Sequence, residues 1–166
     1  MRKISAYLFS IVLGALVAAG SSLWAQDTTP GFGSIAEDSN EPIEITADQL
    51  MLDDETGLAT FKGNVEIIQG NLRLRADFVE VFYTEDRSKI DRMFAKTNVR
   101  LTSGPDKATS DAADYDLSRG SIILTGNVSV LQEGNTLLAE RVEFDVETGA
   151  SQASGRVKTV LTPASE

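Results

Sequence analysis

Gly57-Leu58-Ala59-Thr60-Phe61-Lys62-Gly63-Asn64-Val65-Glu66-Ile67 is the stretch that decides the fold. Ala59, Phe61, Val65 and Ile67 are apolar, and between them stand Thr60, Lys62, Asn64 and Glu66. Successive side chains of a strand point to opposite faces, so this period of two predicts a half-buried strand. The alternation passes through Gly63-Asn64 without losing phase, which places a kink or bulge there rather than a turn. The same pattern returns with Ile122, Leu124, Val128 and Val130 against Thr125, Asn127 and Ser129.

Outward from this stretch the chain repeats itself. Gly63-Asn64-Val65 recurs as Thr97-Asn98-Val99, Gly126-Asn127-Val128 and Gly155-Arg156-Val157, with the middle residues 34, 29 and 29 apart. A second motif, small-acidic-x-apolar, is carried by Ala47-Asp48, Ala76-Asp77, Ser110-Asp111 and Ala139-Glu140, spaced 29, 34 and 29. A single five-residue insertion reconciles the two series, most simply in Thr84-Glu85-Asp86-Arg87-Ser88-Lys89. Gly57 and Gly63, Gly120 and Gly126, and Gly149 and Gly155 are each six apart and give the same period. The unit is about 29 residues, present four times.

Each unit is expected to give a short and a longer arm, bent at the small-acidic corner and at the glycine, with Glu55-Thr56-Gly57 and Glu147-Thr148-Gly149 as tight turns. Pro30, Pro42, Pro105 and Pro163 all fall outside the expected strands, as backbone pairing demands. Units this thin cannot bury an apolar face alone, so they must stack. The expected fold is all-β, an open shell of stacked antiparallel strands with one apolar strip inside. That strip holds Ile43, Ile45, Leu52, Phe61, Val65, Ile67, Leu74, Val81, Tyr115, Leu124, Val128 and Phe144, with Leu50, Tyr83 and Val157 among its further members. With the arms closed the strip is a core; with the arms splayed it is a lipid groove. Each methylene removed from water is worth about 0.8 kcal/mol, so one acyl chain gains on the order of 8 kcal/mol in such a groove. The first strand (Ile43 to Leu52) and the last (Arg156 to Leu161) would leave unpaired edges, open to strand addition or covered by the tails.

The remaining sequence limits the function classes. Arg2 and Lys3, an apolar run from Ala6 to Ala19 and a small-residue exit near Ala25 describe a signal peptide, residues 1–25. The run is shorter than the roughly 20 residues a spanning helix needs, and an uncleaved inner-membrane anchor is the alternative. Residues 26–41 read as a flexible arm, 42–163 as the repeat domain and 164–166 as a tail. Residues 1–25 hold two basic side chains and no acidic ones, so their removal takes the net charge from −10 to −12. That argues against binding nucleic acid or docking on an anionic membrane surface. The chain has no Cys and no His, which leaves out thiol nucleophiles, Ser-His triads and the usual zinc sites.

These features resemble the OstA-like family of lipopolysaccharide-transport proteins, most closely its periplasmic bridge branch, the LptA family. The resemblance is carried by Pro42-Ile43-Glu44-Ile45-Thr46-Ala47-Asp48, Ala59-Thr60-Phe61, Gly63-Asn64-Val65, Leu72-Arg73-Leu74-Arg75-Ala76-Asp77, Gly126-Asn127-Val128 and Arg156-Val157. It spans about Glu41 to Pro163, with Thr97 for Gly in the third copy and Arg156 for Asn in the fourth as departures. It implies an open β-jellyroll that holds the acyl chains of lipid A (lipopolysaccharide) inside and assembles head-to-tail with copies of itself. The implied partners are the membrane-anchored component of an inner-membrane ABC transporter and the periplasmic domain of an outer-membrane translocon. No cofactor and no catalytic or metal residue is implied. Ile43 and Ile45 would lie at the groove entrance, with Phe61, Tyr115 and Leu124 further in.

Competing readings stay open at this point. The chain could be the anchored paralogue of the same export system, or an adaptor that pairs through its edges without ligand. Asp48, Asp77, Asp111 and Glu140 share one repeat position. They could serve as acid and base on a glycan, hold a cation, or accept hydrogen bonds from backbone N–H groups where the chain turns. Catalytic pairs need differing environments, and equivalent repeat positions do not supply them. Arg73 and Arg75 flank Leu74 on the outer face, solvated or in reach of lipid A phosphates.

Overall fold

A computed structural model describes residues 40–162. The signal peptide and most of the arm read from the sequence, with Pro30, Pro163 and the tail, lie outside the described residues. Within them every regular element is a strand: β1 (Glu44–Thr46), β2 (Gln49–Asp53), β3 (Leu58–Gln69), β4 (Leu72–Tyr83), β5 (Ile90–Ser103), β6 (Asp106–Asp116), β7 (Ser121–Gln132), β8 (Asn135–Asp145), β9 (Ser151–Ser154) and β10 (Lys158–Val160). All belong to one antiparallel sheet in which each long strand pairs with the next along the chain.

The sheet is folded along a single line. Register slips at Lys62/Val65, Arg75/Phe78, Lys96/Val99, Thr109/Ala112 and Thr125/Val128, so all six long strands bend there and run on. One arm holds Leu58–Lys62 and its neighbours; the other holds Val65–Gln69 and its neighbours. At the ends of the stack the strand is broken at that line. β2 and β9 cap the first arm, while β1 and β10 cap the second. The bulge expected at Gly63-Asn64 is therefore the fold line of the whole molecule.

The sequence had suggested two separate bends per repeat and arms of unequal length. Instead the small-acidic position and Gly-Asn are the same corner on neighbouring passes, joined by Asp48 N donating to Gly63 O at 2.9 Å. The last edge strand also begins earlier than expected, at Ser151, with Arg156 at the corner rather than in a strand.

The apolar strip is the core between the arms. Val79, Val81, Leu124 and Val142 are wholly buried, and Val65, Ile67, Leu74, Val99, Leu101, Ile122, Val128 and Phe144 nearly so. Burial of this kind, about 1.5–3 kcal/mol per large aliphatic side chain, is what holds a chain without disulfides together.

Candidate functional site

The corner is built on one plan in each repeat. Asn64 Nδ2 donates to Asp48 Oδ2 at 2.9 Å, Asn98 Nδ2 to Asp77 Oδ2 at 2.6 Å and Asn127 Nδ2 to Asp111 Oδ2 at 2.8 Å. In the fourth copy Arg156 Nε donates to Glu140 Oε1 at 2.7 Å. The partners are 16 residues apart in three copies and 21 in the copy that contains Thr84–Lys89, so the five-residue insertion lies there. The acidic side chains thus accept from Asn or Arg side chains rather than from the backbone N–H groups expected of them. Where Arg replaces Asn, Glu replaces Asp, and the corner still closes.

The two corner residues are both left-handed: φ is +77° and +45° at Gly63-Asn64, and +67° and +55° at Thr97-Asn98. Glycine suits the first position for two reasons. It carries no Cβ penalty there, and a Cβ on Gly63 would meet Asp48 Oδ2 at 2.5 Å. Thr97 occupies that position at the strain a β-branched residue pays for positive φ.

Opposite the corner the arm tips form a long mouth. On the first arm the turns are fixed by aspartates. Asp53 Oδ1 accepts from the N–H of Glu55 (2.9 Å) and Thr56 (3.1 Å), and Asp145 Oδ1 from those of Glu147 (2.9 Å) and Thr148 (2.8 Å). The Thr56 and Thr148 backbone bonds hold these two carboxyls below the ordinary range. The Ser118 hydroxyl does the same for Asp116. The Thr84 hydroxyl, then the N–H of Ser88, bring Asp86 to about 2. Glu55-Thr56-Gly57 and Glu147-Thr148-Gly149 are turns as expected, with Gly57 and Gly149 at positive φ.

The second arm carries an inward polar row at its tips. Gln69, Ser103 and Asp106 are buried, and Gln132 and Asn135 are half-buried. Sequence reasoning missed this row. Its signal was the position two places after the last inward-facing apolar residue of a strand: Ile67-x-Gln69, Leu101-x-Ser103 and Val130-x-Gln132.

Of the expected strip, Val65, Ile67, Leu74, Val81, Tyr115, Leu124, Val128 and Phe144 are buried together, and Ile43, Ile45 and Phe61 pack against them half-buried. Leu50 and Leu52 pair with Phe61 and Ala59 and share their inward side, yet they are 55% and 65% exposed because the stack ends there. Tyr83 and Val157, expected inside, are exposed as well. On the outer face Arg73 and Arg75 both reach Glu66, at 3.2 and 2.8 Å.

Residues 44–150 match the family model described as "LptA/(LptD N-terminal domain) LPS transport protein". The chain belongs to this family. It is 33% identical to an uncharacterised protein of Rhizobium meliloti across 98% of this chain and 93% of that one. To the lipopolysaccharide export system protein LptA of Escherichia coli it is 29% identical, covering 89% and 84%. The crystal structure of LptH, the LptA-homologous periplasmic component of the lipopolysaccharide transport device of Pseudomonas aeruginosa, superposes with a TM-score of 0.70 at 23% identity. It covers 76% of this chain and 99% of that one. The fold is thus the β-jellyroll of that structure, and the family is one of transport proteins.

Proposed function

We propose that this protein is a periplasmic carrier of lipopolysaccharide, holding lipid A acyl chains between its arms and joining head-to-tail with copies of itself. The assembly would connect an inner-membrane ABC transporter, through its anchored component, to the periplasmic domain of an outer-membrane translocon. The observation that carries this reading is the continuous apolar seam that ends uncovered, at Leu50 and Leu52 on one side and at Val157 and Leu161 on the other. The near-complete cover of LptA, against 13% of the length of an LptD from Pseudomonas putida, supports the free bridge over a piece of the translocon.

The edges also differ in charge. The first pass carries Glu44 and Asp53 and no basic residue, whereas the last carries Lys158 and no acidic one. Opposite charges on complementary edges favour head-to-tail strand addition over like-with-like pairing.

A photo-crosslinking residue at Phe61 or Ile67 is expected to capture lipopolysaccharide, and one at Glu66, on the outer face, is not. Equal labelling at all three positions would remove the groove. One observation favours a second reading, an edge-pairing adaptor without ligand: the middle of the seam is shut, with a cavity of only about 20 Å³. Lipid copurifying with the protein separates the two.

A further inference from the structure

The two arms are tied at the mouth by a polar contact that the corner does not need. Gln69 stands at the tip of the second arm and Tyr115 near the tip of the first, and both are about 95% buried. Tyr115 Oη donates to Gln69 Oε1 at 3.2 Å, and Gln69 Nε2 donates to Glu41 O at 3.2 Å. Glu41 belongs to the segment leading into β1, and its neighbour Asn40 lines a surface depression on the first arm with Thr84, Lys89, Ile90 and Leu117. Residues 40–43 therefore cross the mouth from one arm to the other, with Ile43 packed down on the core.

Tyr115 also separates two spaces. Outside it is the depression just described, of about 410 Å³. Inside it is the cavity of about 20 Å³, lined by Gln69 and by the apolar side chains of Leu74, Met93, Leu101 and Ile122. That cavity is the size of about one water, but its walls are apolar and one of them is a flexible methionine. A small unfilled space in the seam thus lies directly behind the polar pair.

We propose that Gln69 and Tyr115 are the latch of a portal through which an acyl chain enters the seam, with residues 40–43 as the strap across it. The inference rests on the carrier reading and gives that site its entrance. Tyr115 swinging outward would join the depression to the cavity, and Met93 could yield to the incoming chain. A hydrogen bond between neutral groups suits a closure that must break on each loading, because its net worth is small. The burial that makes the closed pair stable also raises the pKa of the Tyr115 hydroxyl, so it stays protonated and able to donate.

The test mixes purified Tyr115→Phe and Gln69→Leu proteins with lipopolysaccharide labelled on its sugar and reads loading and release separately. Loading is expected about fivefold faster in each variant, the equivalent of one neutral hydrogen bond, with release unchanged because the latch is already broken in the loaded state. Wild-type loading rates in both variants overturn the latch and leave the carrier reading standing. Loading and release accelerated together also overturn it, since general loosening of the fold does that. A wild-type protein that takes up no lipopolysaccharide overturns the carrier reading, and the portal with it. Amide exchange over Ile67–Leu72 in the lipid-free protein supplies a readout without lipid. Faster exchange in Tyr115→Phe supports the latch and unchanged exchange overturns it. Tyr115→Phe removes a single oxygen, so it carries the comparison alone where Gln69→Leu does not fold.

Discussion

The corner and the mouth of this folded sheet are built on opposite plans. At the corner every repeat uses the same device, an acidic side chain on one pass closing on Asn or Arg of another, over two left-handed residues. At the mouth the first-arm turns differ in length while those of the second arm all have two residues, and the arms meet through Gln69 and Tyr115 rather than through a repeated contact. The difference shows where repetition is physically enforced. Strands that bend side by side must bend in register, or their ladders part. Arm tips only have to turn round, and there a five-residue insertion costs little, since loop-closure entropy grows slowly with length.

This contrast can be broken from the corner outward. Gly126→Val puts a β-branched side chain at φ +77° and its Cβ against the Asp111 carboxylate. It is expected to cost about 3 kcal/mol, seen as a lower denaturant midpoint with the slope unchanged. Asp111→Ala removes only the clasp to Asn127, in an exposed setting, and is expected to cost about 1 kcal/mol in the same titration. Thr97→Gly relieves the corner that departs from the pattern. A gain of about 0.5 kcal/mol is expected, because lost strain is partly offset by a more flexible unfolded chain. A fall in stability would mean that the Thr97 side chain contributes more than its backbone strain costs.

The mouth is sharpened by pH. Asp86 titrates at about 2 in the fold, with Asp53, Asp116 and Asp145 also depressed below 3.8. A lowered folded pKa means that the unfolded chain binds protons more readily. The stabilisation is therefore complete above about pH 4 and is lost as pH falls towards 2. Protection of the amides of Ser88, Glu55 and Glu147, measured against their intrinsic exchange rate at each pH, is expected to fall over that window, as their Asp acceptors are neutralised. Unchanged protection there would detach these turns from their aspartates.

The sheet was legible because two periods, 2 and about 29, agree along the chain, and because Gly, Asn and Pro sit where only a bend or a loop allows them. The insertion was legible as the one irregular interval. Which residues meet across the corner was not, since Asp48 and Asn64 were read as separate motifs and only the register brings them together. The polar row at Gln69, Ser103 and Asp106 escaped for a similar reason: alternation marks a face, but not where along the strand that face meets its opposite. Leu50 and Leu52 have the pattern of core residues and lack only a next strand to cover them.

The exchange of Asp-Asn for Glu140-Arg156 at the last corner makes one fold-line contact ionic while the other three pair a carboxylate with a neutral amide. Both partners are more than half exposed, so dissolved ions screen that attraction far more than they touch its counterparts. Ionic strength therefore acts on the molecule unevenly, loosening the terminal pass that carries Lys158 before any other bend in the sheet.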